Sequence, residues 1–288
     1  MRSIQKCLLA LSILSGALSA APARAACLSD LDAAALVANY LAKTPAANPE
    51  GLSTADGACS REKVNRFLAQ QLGAPVVGYK AGLTNPAVQQ RFGASAPVWG
   101  LLYAPMLLAD GAVVDARFGA RPLFEADMLV RVSSAAINRA RTPEQVLAHI
   151  DQLIPFIELP DLVVQAPPKL NGAAIAAINV GARLGVMGTP IAVQRSTAFA
   201  DALRDMVVIV RADGAELDRG KGSDVLDHPL NAVVWLAQDL ATQGIALKKG
   251  DLLSLGSFSK LLPPKPGLAV EVVYQGLPGN PVVRTRFR

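Results

Sequence analysis

The 288-residue sequence has little of what soft-metal, nucleotide and nucleic-acid chemistry requires. It holds only two histidines and three cysteines. Neither His149 nor His228 has a partner at a spacing such as H-x-x-x-H, so zinc held by His and Cys is unsupported. Aromatics make up 5% of the chain, and no Lys/Arg cluster is interleaved with them, which disfavours nucleic-acid binding. No G-x-G-x-x-G follows a strand, so a dinucleotide-binding Rossmann unit is excluded. "GAAIAAINVGARLG" and "RGKGSD" are glycine-rich without phosphate-loop spacing. No G-x-S-x-G elbow supports a serine nucleophile. The longest apolar run, Cys7 to about Ala21, is short for a transmembrane helix.

That run belongs to a leader. Arg2 and Lys6 precede it, and Ala23-Arg24-Ala25 closes it as a small-x-small cleavage pattern, so residues 1–25 read as a secretory signal peptide cut after Ala25. A retained N-terminal anchor is the alternative. Loss of Arg2, Lys6 and Arg24 lowers Lys+Arg from 28 to 25 against 23 acids, a net charge of +2. Neither a membrane surface nor an acidic polymer is recommended by that balance. The expected location is periplasmic or secreted. Cys27 and Cys59 survive cleavage, and an exported chain with an even pair favours a disulfide over two independent thiols. It would close a loop of about 33 residues, worth roughly 3–4 kcal/mol.

Helical spacing is expected in "LSDLDAAALVANYLAKT", capped by Ser29 or Asp30, and in "SREKVNRFLAQQLG", capped by Ser60. These form an N-terminal helical lobe over residues 26–73. From Ala74 to Arg288 strands dominate. They are expected at Pro97–Tyr103, Ala112–Asp115, Pro122–Val132, Asp251–Leu255, Ala269–Tyr274 and Pro281–Phe287, with a hairpin turning near Asp213-Gly214. "TPEQVLAHID" is a capped helix that contains His149. "DHPLNAVVWLAQDLATQG" is the clearest helix, started by Pro229 and ended by Gly244. Strands with few scattered helices give an α+β class on a β-rich core.

The chemistry is expected from carboxylates. Glu125 and Asp127 lie two residues apart in the apolar run "PLFEADMLVRV", so they share one face of a strand. At ~4 Å and an effective dielectric of ~20, their repulsion is about 4 kcal/mol. A solvated edge strand would screen it. A divalent cation would cancel it. Glu158 interrupts a second apolar run, "LIPFIEL", and three carboxylates without soft ligands select Mg²⁺ or Mn²⁺. Lys80, read alone, is a snorkelling lysine at a strand end.

Several segments resemble the 2-keto-4-pentenoate hydratases and their kin the 4-oxalocrotonate decarboxylases, within the fumarylacetoacetate hydrolase superfamily. "VVGYKAGLTNPAVQQRFG" is similar to that family's G-x-K-x-G-L-T segment. "FEADMLV" resembles its E-A-E strand, and "IPFIEL" the strand of its third acid. "KGSDVLDHPLNAVVWLAQDLATQGIALKKGDLLSLGS" resembles its G-S-x-x-L-x-H-P-L-N-A-x-x-W-L helix and the following G-D strand. The likeness runs from about residue 30 to the end.

The resemblance implies a partly open barrel core with helices around it, over residues 74–288. It implies metal ligands at Glu125, Asp127 and Glu158, and Lys80 beside the substrate as carboxylate anchor or proton shuttle. Asn179 and Ser257 are expected to contact the substrate. The implied activity is hydratase-like lyase chemistry on a small 2-oxo or 2-hydroxydienoic acid, in which a cation stabilises an enolate. Decarboxylation of a 2-oxo acid is the alternative within the family, and an exported non-catalytic binding protein is the alternative outside catalysis. Hydrolysis of a carbon–carbon bond would need a base that the sequence does not show. A homo-oligomer is expected. The departures are Asp127 where the family has Glu, Val98 in "PVWG" where it has P-D-[FY]-G, and Ile178 in "AINVG" where it has A-D-N-A. Two candidate general bases are thereby lost.

Overall fold

The computed structural model describes residues 27–288. The leader expected at residues 1–25 lies outside them.

Two helices come first, α1 (Asp30–Ala42) and α2 (Thr54–Leu72). Strand β1 (Val76–Gly82), helix α3 (Pro86–Arg91) and strands β2 (Val98–Tyr103), β3 (Leu107–Ala109) and β4 (Val113–Val114) follow. Then come β5 (Glu125–Val132), α4 (Pro143–Leu147), β6 (Ile150–Leu159), α5 (Gly172–Ala177), β7 (Leu184–Met187), β8 (Ile191–Ala192) and α6 (Thr197–Asp205). The chain closes with β9 (Val207–Ala212), β10 (Ala215–Lys221), α7 (Leu230–Thr242), β11 (Leu252–Ser254), β12 (Ala269–Gln275) and β13 (Val282–Phe287).

The strands form two sheets. One has the order β2-β1-β11-β5-β6-β7-β3, with β8 paired to β6; the other runs β10-β9-β12-β13-β4. Pairing is antiparallel except for β1 with β11, β3 with β7, and β4 with β13. The apolar core lies between the two sheets and α7, around Met128, Val130, Leu153, Ile157, Val208, Val272, Leu236 and Phe287. A second cluster joins the two N-terminal helices to the barrel. Leu36, Val37, Val64 and Leu68 pack with Tyr103, Ile175, Ile178 and Val180. The α+β class with a β-rich, half-open barrel is therefore the observed architecture.

Local signals explain most element ends. Ser29 caps α1, and the αL residue Gly73 ends α2. The β9–β10 hairpin turns through Asp213 and Gly214, both at positive φ, as an Asp-Gly pair favours. Three expectations need correction. Helix α2 starts at Thr54, six residues before Ser60, behind a capping box of Ser53 and Asp56. Ser60 is instead buried inside the helix, and its hydroxyl accepts a hydrogen bond from the Leu28 amide. His149 sits in the turn after α4 rather than within the helix. Strand β5 begins at Glu125, not Pro122, because Pro122 and Phe124 make only isolated bridges, to Asp161 and Leu262 outside the strands.

Cys27 and Cys59 are joined in a disulfide that ties the chain before α1 to the middle of α2. His228 is buried and works as a cap. Its Nδ1 accepts from the Leu230 amide at 3.1 Å, so its Nε2–H faces the Ala200 carbonyl at 3.0 Å.

Candidate active site

Four adjacent strands, β1, β11, β5 and β6, build the site, with the ionisable residues on β1, β5 and β6 and Ser254 on β11. Glu125 on β5 stands directly opposite Glu158 on β6. Asp127 follows two residues on, facing the same side. Lys80 on β1 pairs in register with Ser254 on β11. In a flat sheet β1 and β6 would be about 14 Å apart, at about 4.8 Å per strand. Yet the Lys80 ammonium donates to Glu158 Oε1 directly. The sheet must curl around this contact, and the carboxylates line the inside of the curl.

The curl buries the charges. Lys80 and Glu158 are each 3% exposed and Asp127 is fully buried, while Glu125 keeps part of its surface accessible. Lys80 also donates to the Val180 carbonyl at 2.9 Å. Asp127 is held by its neighbours. Its Oδ2 accepts from the Ser254 hydroxyl at 2.5 Å, and its Oδ1 from the amides of Leu255 and Gly256 at 3.2 and 3.1 Å. Burial raises the Glu125 carboxyl well above the usual carboxylate range, and Glu158 and Asp127 push it the same way against Lys80 and a Ser257 hydrogen bond. Burial, then the Glu158 charge, lifts Asp127 to about 7 despite its hydrogen bonds. Three carboxylates share one ammonium, so full ionisation would leave an excess of negative charge in a desolvated place, and without a further cation Glu125 and Asp127 resist losing their protons.

That excess charge and the oxygen-only donor set fit a hard divalent cation. The fit is not a preformed three-ligand cradle. Among the described residues, no group of three or more His, Cys, Asp and Glu side chains converges in a metal-holding arrangement. Asp127 turns to β11 and Glu158 is engaged by Lys80.

The other expected contact residues are placed differently. Ser257 lies against Glu125 and also bonds the backbone of Ser259. The Asn179 amide is spent on structure. Its Oδ1 accepts from Asn65 Nδ2 and the Leu101 amide, and its Nδ2 donates to the Leu101 carbonyl. It acts as a pseudo-strand along the free edge of β2. The next residue, Val180, whose carbonyl holds Lys80, also has positive φ. Strain of this kind in a β-branched residue is concentrated at functional sites. Val98 and Val180 both flank Gly82, where a Cβ would lie 2.5 Å from Val180 Cγ1. Val98 and Val180, with Ile178 and Leu83, belong to the apolar cluster under the N-terminal helices.

Two residues were not visible in the sequence. Tyr274, from the second sheet, pushes its hydroxyl into the β5–β6 ladder. It donates to the Asp127 carbonyl and lies 3.1 Å from the Phe156 backbone amide and carbonyl. Arg61 of α2 is buried over the Trp99 ring, 3.4 Å from its centroid, and donates to the Trp99 carbonyl and Gln243. Burial lowers its guanidinium to about 10. Neither residue sits in a motif, and only the tertiary structure gives each a partner. Two surface hollows, of about 400 and 360 Å³, lie away from Lys80 and the three acids.

No family model matches the chain. Comparison with individual proteins is decisive. The 4-oxalocrotonate decarboxylase of Pseudomonas sp. (strain CF600) is 31% identical over 205 residues, which span 71% of this chain and 76% of that enzyme. The chain belongs to the 4-oxalocrotonate decarboxylase and 2-keto-4-pentenoate hydratase family. The 2-keto-4-pentenoate hydratase of Paraburkholderia xenovorans (strain LB400) is 29% identical over 235 residues, covering 81% and 83% of the two chains. The solved 4-oxalocrotonate decarboxylase from Pseudomonas putida G7, complexed with magnesium and adipate, superposes with a TM-score of 0.77. It is 26% identical and covers 91% of this chain and 99% of that one. The fold extends to a putative fumarylacetoacetate hydrolase family protein from Yersinia pestis CO92, with a TM-score of 0.54 at 14% identity over 75% and 94% of the chains. Family members are thus both hydratases and decarboxylases, and this family fold carries the Lys80–Glu125–Asp127–Glu158 cluster in the present chain.

Proposed function

We propose that the protein is a divalent-cation-dependent lyase acting on a small 2-oxo acid through an enolate. The observation that carries this reading is the buried cluster of three carboxylates with a single ammonium inside the curled sheet. Magnesium in the related decarboxylase structure supports the cation. Glu125 and Glu158 are the groups that would hold it, with Asp127, bonded to Ser254 and the Leu255 and Gly256 amides, supporting them from the same strand face. When bound, it supplies Lewis acidity toward the substrate's 2-oxo oxygen.

The chain's own residues do the rest. Lys80 is fixed by the Val180 carbonyl and Glu158, so its ammonium is aimed into the curl. There it anchors a substrate carboxylate or carries a proton at Nζ. Ser257 lies beside Glu125 and contributes to its electrostatics. The burial of Lys80 keeps water from competing for its proton and strengthens the local electrostatics.

Addition of water to a 2-hydroxydienoate is the first reading. Loss of carbon dioxide from a 2-oxo acid is favoured by a separate observation. Val98 and Ile178 are apolar where the resemblance expects acids, so a base to activate water is missing at those positions. Purified protein without its leader, mixed with Mg²⁺, should discharge the absorbance of 2-hydroxypenta-2,4-dienoate or of oxalocrotonate, and EDTA should stop it. Product analysis then separates hydration from decarboxylation. No metal-dependent turnover of either acid would support the binding-protein alternative. Export, the disulfide's oxidising compartment and a homo-oligomeric state are part of the same proposal, and fractionation of the native host with sizing of the purified chain checks them.

A further inference from the structure

We infer that Asp127 is a positioning residue that clamps the chain beyond β11 onto β5, leaving Glu125 and Glu158 as the side chains that face a cation. The inference rests on the cation reading above and divides the cluster's roles.

Asp127 is fully buried, and its carboxylate is committed to protein donors. Oδ1 accepts from the amides of Met128, Leu255 and Gly256 at 2.5, 3.2 and 3.1 Å, and Oδ2 from the Ser254 hydroxyl at 2.5 Å. A carboxylate offers about four lone-pair sites. Four protein donors, three on Oδ1 and the Ser254 hydroxyl on Oδ2, match that number.

The need for such a clamp follows from the local chain path. Strand β11 ends at Ser254. The Leu255 amide still bonds the Met128 carbonyl, and the Phe258 amide bonds the Ala126 carbonyl. Between them Gly256 and Ser257 leave the ladder. Gly256 turns at φ +101, packed so closely on Thr84 that a Cβ would meet its Oγ1 at 2.1 Å. Asp127 takes the Gly256 amide that this excursion frees from β5. The excursion in turn presents the Ser257 hydroxyl to Glu125. Asp127 therefore acts on the cation site through residues 254–257. A glutamate would carry its carboxylate about 1.5 Å farther out, past these donors. The aspartate at this position is the length the clamp requires.

The test is Mn²⁺ titration followed by electron paramagnetic resonance, with wild type, Asp127→Asn, Glu125→Gln and Glu158→Gln. Glu125→Gln and Glu158→Gln should each weaken Mn²⁺ binding more than about 100-fold, and Asp127→Asn about 10-fold, the scale of an outer-shell support. An Asp127→Asn loss equal to that of Glu125→Gln overturns the division of roles. A second measurement needs no variant. The Gly256 amide of the wild-type chain should keep its NMR shift and slow hydrogen exchange when Mg²⁺ is added. Release of that amide on Mg²⁺ addition overturns the clamp. A wild-type chain that takes up no Mn²⁺ defeats the cation reading itself, together with the ligand half of this inference, whereas the Gly256 amide reports on the clamp alone.

Discussion

At the scale of single residues, the Lys80–Glu158 pair is the feature with the largest energetic stake. Both groups are almost wholly buried, and each is the other's compensation. Removing one member of a buried pair costs about 3–5 kcal/mol, whereas removing both often costs far less. Lys80→Met should therefore lower unfolding free energy by about 3 kcal/mol, and Lys80→Met with Glu158→Gln should recover most of it. Chemical denaturation of the three proteins checks this, and additive losses would mean the pair is not coupled. The acids and the lysine were legible in the sequence because charges in apolar strands stand out and because strand parity placed Glu125 with Asp127. Parity could not show that Asp127 would be captured by β11, since that depends on a strand 127 residues away. Asn179 was likewise expected at the substrate, and its amide turned out to be occupied along β2.

At the scale of elements, the short strand β11 and the edge strand β2 position the site. Gly100 pairs with Lys80 and abuts Asn179 so closely that a Cβ would lie 2.5 Å from the Asn179 carbonyl oxygen. Gly100→Ala must push the Asn179–Val180 turn outward, and Val180 holds Lys80. A stability loss of about 1–3 kcal/mol is expected, together with impaired turnover. Thermal unfolding and the dienoate assay read the two effects, and an unperturbed variant would deny the turn its role. Element types were mostly legible, because Asp-Gly, Pro-first helices and apolar periodicity are local signals. The start of α2 was not. Gly57 and Cys59 weaken its helical pattern, while the tertiary contact of Gly57 with the Ala173 backbone overrides propensity there.

At the scale of the whole molecule, the carboxylate cluster should set the pH response of the cation-free protein. Glu125 and Asp127 both have raised pKa values, Asp127 from 3.8 to about 7. The folded state then binds more protons than the unfolded one across that range. This stabilisation is complete below about pH 4 and is lost as pH rises through about 7. His228 works in the other direction. Burial lowers its pKa, so stability is lost as pH falls below 6.5 toward its folded value. Melting in EDTA should show a decline from pH 6.5 to 8 that Mg²⁺ abolishes, since a bound cation replaces the missing positive charge. A decline unchanged by Mg²⁺ would count against a cation at this cluster. The disulfide adds a separate contribution. Cys27→Ser with Cys59→Ser should cost roughly 3–4 kcal/mol at any of these pH values.

The half-open barrel itself could be expected from the resemblance, but its curl could not be read from strand order. It is seen in one contact, Lys80 to Glu158 across two intervening strands. That contact makes the cluster a site rather than a row of charges. Anomalous diffraction at the manganese edge, from crystals grown with Mn²⁺, tests it most directly. The account predicts one strong peak inside the curl between the Glu125 and Glu158 carboxylates. A crystal with manganese bound elsewhere, and none inside the curl, would contradict it.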